Sequence, residues 1–152
     1  MKLILVRHGE ASFDAPSDRL RELTDVGREN NKRVAGSMHA PCSSVNVFWT
    51  SDLLRAQQSG EAFTDIVAVK PEQQRFLSPE SDPKRVIAAL EKLNPEDEVL
   101  IVAHQPLLGS LVSHLCHGHG YEPHPFITSE ALILECEIPA LGLATVLEQF
   151  LP

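Results

Sequence analysis

Short apolar runs recur along the chain, each bounded by polar or turn-forming residues. Runs of this length and setting are typical of strands buried in a sheet. In segment 131–138 the apolar residues instead alternate with Glu135 and Glu137, which predicts a strand with one face in water. A turn at 139–142 then leads into a last strand that pairs back on it. The predicted strands are 3–6, 45–50, 66–69, 99–103, 131–138 and 143–150.

Two helices are predicted in the first half of the chain. Thr24 is suited to cap a helix that runs to about Met38 and is ended by Pro41. Ser51 or Asp52 is expected to cap the second helix, directly after the strand at 45–50. Segment 13–23 before the first helix is polar and irregular and is predicted to be a loop. The second helix has a buried face made of Leu53, Ala56, Gly60 and Phe63.

Two more helices are predicted in the second half. Asp82 as N-cap with Pro83 at the first helical position is a strong start signal, and Asn94-Pro95 is the corresponding stop. Pro106 opens the last helix, which Gly118-His119-Gly120 ends. Segments 73–81 and about 121–129 are predicted to be loops. The apolar stripes are Val86, Ile87, Leu90 and Leu93 on one helix and Leu107, Leu108, Leu111, Val112 and Leu115 on the other.

Alternating strands and helices followed by a terminal hairpin predict the fold class. We expect an α/β protein built as a three-layer α/β/α sandwich, with a mostly parallel mixed sheet and a C-terminal antiparallel hairpin. A chain of 152 residues is most simply one domain, 1–152, and is large enough to have its own core.

Composition limits the function classes. The formal net charge of −8 argues against a general nucleic-acid binder, although a small basic pocket remains compatible with it. The apolar runs are too short for a signal peptide or a membrane span. Cys42, Cys116 and Cys136 are odd in number and widely spaced, so we expect no disulfide framework and a cytoplasmic location.

Two histidines occupy equivalent places at strand ends. His8 follows the run at 3–6 and lies between Arg7 and Gly9, whereas His104 follows the run at 99–103. Neighbouring parallel strands that end at one edge place their last residues about 5 Å apart, and that edge is where open α/β sheets bind ligands. A nearby guanidinium group lowers the pKa of an imidazole, and it can bind two phosphoryl oxygens at once. Gly9 would allow close backbone approach.

Arg55 lies in the first turn of a predicted helix, where cations are usually unfavourable and anions bind. This position indicates an anionic ligand. Gln105 opens the helix after His104, so its backbone N–H could also face an anion. Each element alone has a structural explanation, namely a capped strand end or a solvated arginine. The functional interpretation depends on all of them meeting at one sheet edge.

A histidine-rich segment invites a zinc interpretation. His114, His117, His119 and His124 surround Cys116. The spacing lacks a Cys-x-x-Cys pair or a helical His-x-x-x-His, which structural and catalytic zinc sites ordinarily show. A polar loop is therefore favoured over a metal site.

The three elements together resemble the histidine phosphatase superfamily, whose members include phosphoglycerate mutases. The resemblance is carried by Arg7-His8-Gly9-Glu10, by segment 51–59 with Arg55, and by the late Ala103-His104. Segment 18–27 and segment 104–109 are most similar to SixA-type phosphohistidine phosphatases. The resemblance extends over nearly the whole chain.

The resemblance implies a role for each matching residue. His8 would be the nucleophile and form a transient phosphohistidine, while Arg7, Arg55 and His104 would hold the phosphoryl oxygens. Arg21 would extend the basic pocket. No cofactor or metal is expected, because the cationic side chains do a metal's electrostatic work.

Two positions depart from the pattern of larger members. Asp14 stands where they often carry Asn, and a carboxylate there would repel phosphate, so Asp14 is given no role. Glu80 lies near the region that supplies their general acid, but it matches no close motif and is also explained as a solvated loop carboxylate. A missing acid matters less for phosphohistidine, because an imidazole leaves more readily than an alkoxide.

The expected activity is removal of phosphoryl groups from a histidine-phosphorylated protein, such as a phosphotransfer domain of a two-component relay. Two alternatives stay open: a small-molecule phosphomonoesterase of the same superfamily, and a non-catalytic phospho-binding module. We expect a monomer without nucleic-acid or membrane partners.

Overall fold

The fold contains six strands, described here from a computed structural model that covers residues 1–119 and 121–152. The strands are β1 Lys2–Arg7, β2 Val47–Ser51, β3 Glu72–Gln74, β4 Glu98–Ala103, β5 Ala131–Glu135 and β6 Thr145–Phe150. They form one mixed sheet in the order β3-β2-β4-β1-β5-β6. The first four strands in this order run parallel to one another, β5 pairs antiparallel with β1, and β6 pairs antiparallel with β5. The predicted terminal hairpin is confirmed.

Helices cover both faces of the sheet. They are α1 Asp25–Ser37, α2 His39–Cys42, α3 Leu54–Glu61, α4 Pro83–Leu90 and α5 Leu107–His117, with single 3-10 turns at Asp18–Leu20 and Arg75–Leu77. Leu3 and Leu5 of β1 face one apolar cluster with α4 and α5, whereas Ile4 and Val6 face another with α1 and α3. The alternation of side chains along a strand thus fills two cores, and the three-layer fold is confirmed.

The central pair of strands determines where the two histidines lie. β1 and β4 are parallel neighbours, and Arg7 is in register with Ala103. The His8 N–H donates to the Ala103 carbonyl oxygen at 3.0 Å, which extends the ladder by one residue. Both strands are buried runs of aliphatic residues that end together, so His8 and His104 emerge side by side at one edge.

The predicted third strand at 66–69 is wrong. Val67 packs into the core from a turn that follows α3, and the true edge strand is the polar Glu72–Gln74. β3 pairs with β2 along three residues and none of its side chains is fully buried, so it needs no apolar pattern. The loop predicted at 73–81 also contains the 3-10 turn Arg75–Leu77, whose Leu77 is buried.

The interpretation of 131–138 as a half-exposed strand is also wrong. β5 ends at Glu135, and its first four residues are all buried because helices cover both faces of this interior strand. Ile138 lies beyond the strand and is exposed. The strand exposed to water is β6, which forms the edge of the sheet and begins at Thr145 rather than at 143.

Helix ends agree with the sequence where a capping side chain marks them. The Thr24 hydroxyl accepts from the Gly27 N–H, and Asp82 accepts from the Lys84 N–H, as predicted. The predicted cap at Ser51 or Asp52 is wrong, because Ser51 ends β2 and Leu53 is the N-cap of α3.

Of three other helix boundaries, two differ from the prediction and the end of α5 agrees with it. Pro41 lies within the short α2 instead of ending a helix. α4 ends at Leu90, before the predicted Asn94-Pro95 stop. Gly118, with φ of 81°, ends α5 as predicted, while Gly120 lies outside the described residues. Across 1–119 and 121–152, no helix has the length and apolar character needed to cross a membrane.

Candidate active site

A pocket of about 450 Å³ lies at the carboxyl ends of β1 and β4. Seven of the eight residues predicted from the sequence line it. Gly9, the eighth, is not among the lining residues. The lining comprises Arg7, His8, Glu10, Ala11, Phe13, Asp18, Arg21, Arg55, Pro79, Glu80, His104, Gln105 and Thr128.

His8 is held in a defined orientation. Its Nδ1 lies 2.7 Å from the Gly9 carbonyl oxygen, which can only accept, so Nδ1 carries the proton. The Nε2 atom therefore keeps its lone pair and accepts from Arg55 Nε at 3.3 Å. The side chain is only 8% exposed. The geometry leaves one defined nitrogen available as a nucleophile.

His104 faces His8 across the pocket. The two ring centroids are 4.9 Å apart. His104 is 1% exposed, and within the described part of the chain neither of its ring nitrogens has a hydrogen-bond partner. An unpaired buried polar atom is costly, so such atoms are commonly found where a ligand supplies the missing partner. His104 is suited to contact an oxygen of a bound phosphoryl group.

Both imidazoles are neutral at physiological pH. Burial lowers the pKa of His8 to about 4, with further lowering by the charges of Arg55, Arg7 and Arg21, against the opposing hydrogen bond to Gly9. Burial also lowers the pKa of His104 to about 2, helped by His8, Arg55 and Arg7. Burial is the largest cause in both cases.

The protonation of His8 can be tested directly by NMR titration of its ring resonances. We expect no titration of His8 between pH 8 and 5.5 and a midpoint near pH 4, because its pKa lies far below the ordinary value of 6.5. The folded state therefore binds fewer protons than the unfolded chain between about pH 6.5 and 4, so the free energy of unfolding falls as the pH falls through that window. A His8 midpoint near 6.5 would contradict the expectation.

Arg55 is a buried cation with three contacts. It is 4% exposed, and besides its contact with His8 it donates from Nη1 to the Asp18 carbonyl oxygen at 2.8 Å and from Nη2 to Asp18 Oδ2 at 3.2 Å. Partial burial raises the pKa of Asp18, but Arg55 and Arg21 outweigh this, so the net pKa lies below its ordinary value. Asp18 is thus an ionised partner that orients Arg55.

Arg21 is fixed at the mouth of the pocket. Its Nε donates to the Ser12 carbonyl oxygen at 2.8 Å and its Nη2 to the Ala11 carbonyl oxygen at 3.0 Å. The guanidinium carbon lies 3.9 Å from the centroid of the Phe13 ring, a cation–π arrangement, and Phe13 is 88% exposed. The pocket therefore has an exposed aromatic ring beside an ordered cation.

Arg7 projects from the last residue of β1. Its Nη1 donates to the Phe126 carbonyl oxygen at 2.6 Å, and its buried Nε has no partner among residues 1–119 and 121–152. Burial lowers the pKa of Arg7, and the charge of Glu130 opposes that shift. The guanidinium is thereby anchored at one end and has an unpaired donor left for a ligand.

Gln105 lines the pocket, whereas Gly9 supports it from behind the lining. The Gly9 N–H donates to Ser59 Oγ at 3.0 Å, and a Cβ at Gly9 would come within 2.8 Å of the Gly27 carbonyl oxygen, so a glycine is needed for packing on α1. The Gln105 side chain donates to the His124 carbonyl oxygen and accepts from the Gly109 N–H, each at 2.8 Å.

Glu80 and Asp14, the two carboxylates at positions that depart from the pattern of larger superfamily members, lie in different places. Glu80 lines the pocket beside Pro79 and is exposed, and no hydrogen bond or ion pair fixes its carboxylate within the described residues. Asp14 is exposed and is not among the lining residues. Its backbone N–H donates to Ser12 Oγ at 3.0 Å.

Several residues of the site carry no signal in the sequence pattern. Phe13 and Thr128 line the pocket from irregular segments and Asp18 lines it from a single 3-10 turn, so no hydrophobic period marks any of the three. Asp18 could have been found from its place three residues before Arg21, since two opposite charges so spaced often pair. Ser59 could have been found from its place on the buried face of α3, where a hydroxyl needs a partner.

The histidine-rich segment shows ring contacts. His114 and His119 have centroids 5.5 Å apart, and His117 packs against Tyr121 at 4.9 Å. Across the described residues, no group of three or more His, Cys, Asp or Glu side chains is placed to hold a metal ion.

The fold and the paired strand-end histidines define an α/β protein with a cationic pocket at the carboxyl edge of its sheet, and comparison identifies the family. The model of the histidine phosphatase superfamily (branch 1) matches residues 3–78, which is half of the chain. The chain belongs to the histidine phosphatase superfamily.

Its relatives within the superfamily include SixA proteins. Phosphohistidine phosphatase SixA of Escherichia coli K12 is 32% identical over 136 residues, covering 87% of this chain and 83% of that protein. A SixA homolog of Haemophilus influenzae is 32% identical over 126 residues, covering 76% and 77%. The solved structure of the protein histidine phosphatase SixA complexed with tungstate has a TM-score of 0.88 at 31% identity, covering 100% of this chain and 97% of that one.

More distant structures share the fold alone. A phosphoserine phosphatase of Entamoeba histolytica has a TM-score of 0.75 at 14% identity, covering 97% of this chain and 95% of that one.

Proposed function

We propose that this protein is a phosphohistidine phosphatase that removes phosphoryl groups from histidine-phosphorylated proteins through a phosphohistidine intermediate on His8. The observation that carries the proposal is the neutral His8, whose Nε2 lone pair is oriented by Gly9 at Nδ1 and lies beside His104 and Arg55. SixA of Escherichia coli, 32% identical, carries the same activity in its name.

In the first step, Nε2 of His8 attacks the phosphorus of the substrate. The new P–N bond forms as the substrate's own P–N bond breaks, and the departing imidazole leaves neutral if its second nitrogen already carries a proton. Arg7, Arg55 and His104 stabilise the charge on the phosphoryl oxygens during transfer. Arg21 lies at the mouth of the pocket, where it can hold the approaching group.

In the second step, water attacks the phosphorus of phospho-His8. The P–Nε2 bond breaks, its electron pair returns to His8, and inorganic phosphate leaves with both protons of the attacking water. The hydrogen bond from Nδ1–H to the Gly9 carbonyl oxygen, 2.7 Å long, supports His8 as attacking and as leaving group because it holds the same tautomer throughout. The first half-reaction needs a neutral imidazole, which the low His8 pKa of about 4 supplies, and the second half-reaction regenerates it.

Two features favour a phosphorylated protein as substrate. Glu80, the candidate acid, is exposed and unanchored within the described residues, and an imidazole leaving group has the least need of an acid. Phe13 is 88% exposed at the pocket and its ring is held against Arg21. An exposed ring fixed in place is suited to contact a protein surface, as aromatic side chains commonly do at interfaces.

The alternative is a small-molecule phosphomonoesterase. It is favoured by one observation, namely that Glu80 lines the same pocket as His8 and could protonate an alkoxide. A non-catalytic binding module is less favoured, because Arg7, His8, Arg55 and His104 are all present and together.

The experiment measures phosphate release from a histidine-phosphorylated phosphotransfer domain and from a panel of sugar phosphates. Wild type is compared with Glu80→Gln and His8→Ala. We expect fast release from the phosphoprotein, no release by His8→Ala, and no loss of that activity in Glu80→Gln. Preference for sugar phosphates, lost in Glu80→Gln, would replace the proposal with the esterase. Binding of phosphoprotein by wild type and His8→Ala alike, without turnover, would establish the binding module.

The proposal extends to the setting of the reaction. We propose a phosphotransfer domain of a two-component relay as the partner, a cytoplasmic location, and action as one domain and one chain. The three cysteines, Cys42, Cys116 and Cys136, are free thiols, which supports a reducing compartment. Sedimentation of the purified protein tests the monomer.

A further inference from the structure

Glu130 is a buried carboxylate with a full set of partners. It lies directly before β5 and is 2% exposed. Its Oε1 accepts from His124 Nε2 at 2.7 Å and from Gln149 Nε2 at 2.8 Å, and its Oε2 accepts from the Ile127 N–H at 2.8 Å. Burying a carboxylate is expensive unless such donors meet it. Glu130 therefore ties together segment 124–130 and the edge strand β6.

Segment 124–130 holds the catalytic end of β1. The Phe126 carbonyl oxygen accepts from Arg7 Nη1 at 2.6 Å, and the Glu130 carbonyl oxygen accepts from the Arg7 N–H at 2.9 Å. The Ser129 N–H lies 3.1 Å from the Arg7 carbonyl oxygen and 3.2 Å from that of His8. One short segment thus contacts the guanidinium of Arg7 and the backbone of both Arg7 and His8.

The backbone of the segment is strained at Ser129, the residue whose N–H contacts the carbonyl oxygens of Arg7 and His8. Ser129 has φ of 65°, in the left-handed region that non-glycine residues rarely adopt. Such a conformation persists only where surrounding contacts fix it. Glu130 follows Ser129 in the chain, and its carboxylate accepts hydrogen bonds from His124 and Ile127, which precede Ser129. These contacts help to fix the chain on both sides of the strained residue.

The same segment reaches the His104 side of the pocket. The His124 carbonyl oxygen accepts from Gln105 Nε2 at 2.8 Å, and the His124 N–H donates to the Gly109 carbonyl oxygen at 3.2 Å. His124 therefore connects Glu130 to the first turn of α5, directly after His104.

We propose that Glu130 is a positioning residue, whose carboxylate locks segment 124–130 so that Phe126 and Ser129 hold Arg7 and His8 in the geometry that binds a phosphoryl group. The inference rests on the proposed function for its reaction, but its geometric content concerns any tetrahedral oxyanion bound in the pocket. In the part of the chain that the structure describes, no hydrogen bond or ion pair joins Glu130 to the Arg7 guanidinium. It therefore acts through the segment and through its charge.

The test is a double-mutant cycle between Glu130→Gln and Arg7→Ala. Two readouts are taken: kcat/KM on the phosphoprotein and the Kd of tungstate from titration calorimetry. We expect Glu130→Gln to lower kcat/KM and to weaken tungstate binding by about 10–100-fold, since hydrogen bonds to a buried charge are lost. In the Arg7→Ala background we expect the same change to cost several-fold less, because the part that acts through Arg7 is already lost and coupled residues are non-additive.

Asp97→Asn is the matched control. Asp97 is also a buried carboxylate, and its oxygens accept from Asn46 Nδ2 at 2.8 Å and from the Asn94 N–H at 2.9 Å, at the opposite end of β4. We expect a lower Tm and unchanged tungstate affinity. Equal effects of Glu130→Gln and Asp97→Asn on tungstate, or full additivity with Arg7→Ala, would overturn the inference.

A second variant tests Glu130 if Glu130→Gln fails to fold, and the tungstate readout separates its role from the proposed reaction. If Glu130→Gln does not fold, Gln149→Ala replaces it, because it removes one of the three donors from an exposed residue of β6. A partial, Arg7-dependent loss of tungstate affinity then supports the inference, and an Arg7-independent one overturns it. If wild type binds tungstate but releases no phosphate from the phosphoprotein, the proposed function fails while the tungstate cycle still decides the role of Glu130.

Discussion

His8→Ala is expected to abolish turnover, with at least about a 10⁴-fold loss of kcat, as for removal of a nucleophile elsewhere. The covalent route needs the Nε2 lone pair, and among the residues that the structure describes no other side chain can take its place in the same geometry. His104 is the nearest imidazole, with its ring centroid 4.9 Å from that of His8. Burial and the neighbouring cations keep His104 neutral, but it lacks the Gly9 contact that fixes the tautomer of His8.

The measurement has two parts: steady-state release of phosphate, and trapping of the phosphorylated enzyme. Phosphohistidine is stable in alkali and labile in acid, so a radiolabelled substrate should leave an alkali-stable label on wild type and none on His8→Ala. His39→Ala is the matched control, because His39 is an exposed histidine on α2. Label retained by His8→Ala, or normal release of phosphate, would reject His8 as the nucleophile.

The histidine pair was predictable because it depends on strong local signals. Buried runs such as β1 and β4 are short, aliphatic and sharply bounded, so the residue that follows each run is placed by the strand itself. Arg55 was predictable for a similar reason, since the helix after β2 starts only three residues beyond the end of the strand. The register of Arg7 with Ala103 then brings the two histidines together.

What the sequence did not indicate depends on contacts between distant segments. β3 is a polar strand that exists only because β2 offers it backbone partners. Asp18 meets Arg55, 37 residues away, from a single 3-10 turn. Glu130 reads in the sequence as one polar residue before a strand, yet its partners come from His124, Ile127 and Gln149. Propensity and period are local quantities, so they carry no information about such pairs.

Arg55→Ala is expected to lower kcat/KM by about 100–1000-fold, or about 2.7–4 kcal/mol, the usual cost of removing one preorganised donor from a transition state. Arg55 is 4% exposed, and its Nε lies 3.3 Å from the His8 Nε2 that would carry the phosphoryl group. Its guanidinium therefore lies beside the transferred group, whose oxygens can accept the hydrogen bond that Nε now donates to the Nε2 lone pair. Lysine should not restore the activity, because a point charge cannot donate from several directions at once.

The loss in Arg55→Ala should come from catalysis and not from unfolding. The partner that Arg55 leaves behind, Asp18, has a side chain that is 62% exposed, so water can solvate its carboxylate when the guanidinium is removed. Arg85→Ala on the exposed face of α4 is the matched control for loss of an arginine. We therefore expect Arg55→Ala to have a Tm close to that of wild type and a kcat/KM far below it. A loss smaller than tenfold would show that Arg7 and His104 stabilise the transition state without Arg55.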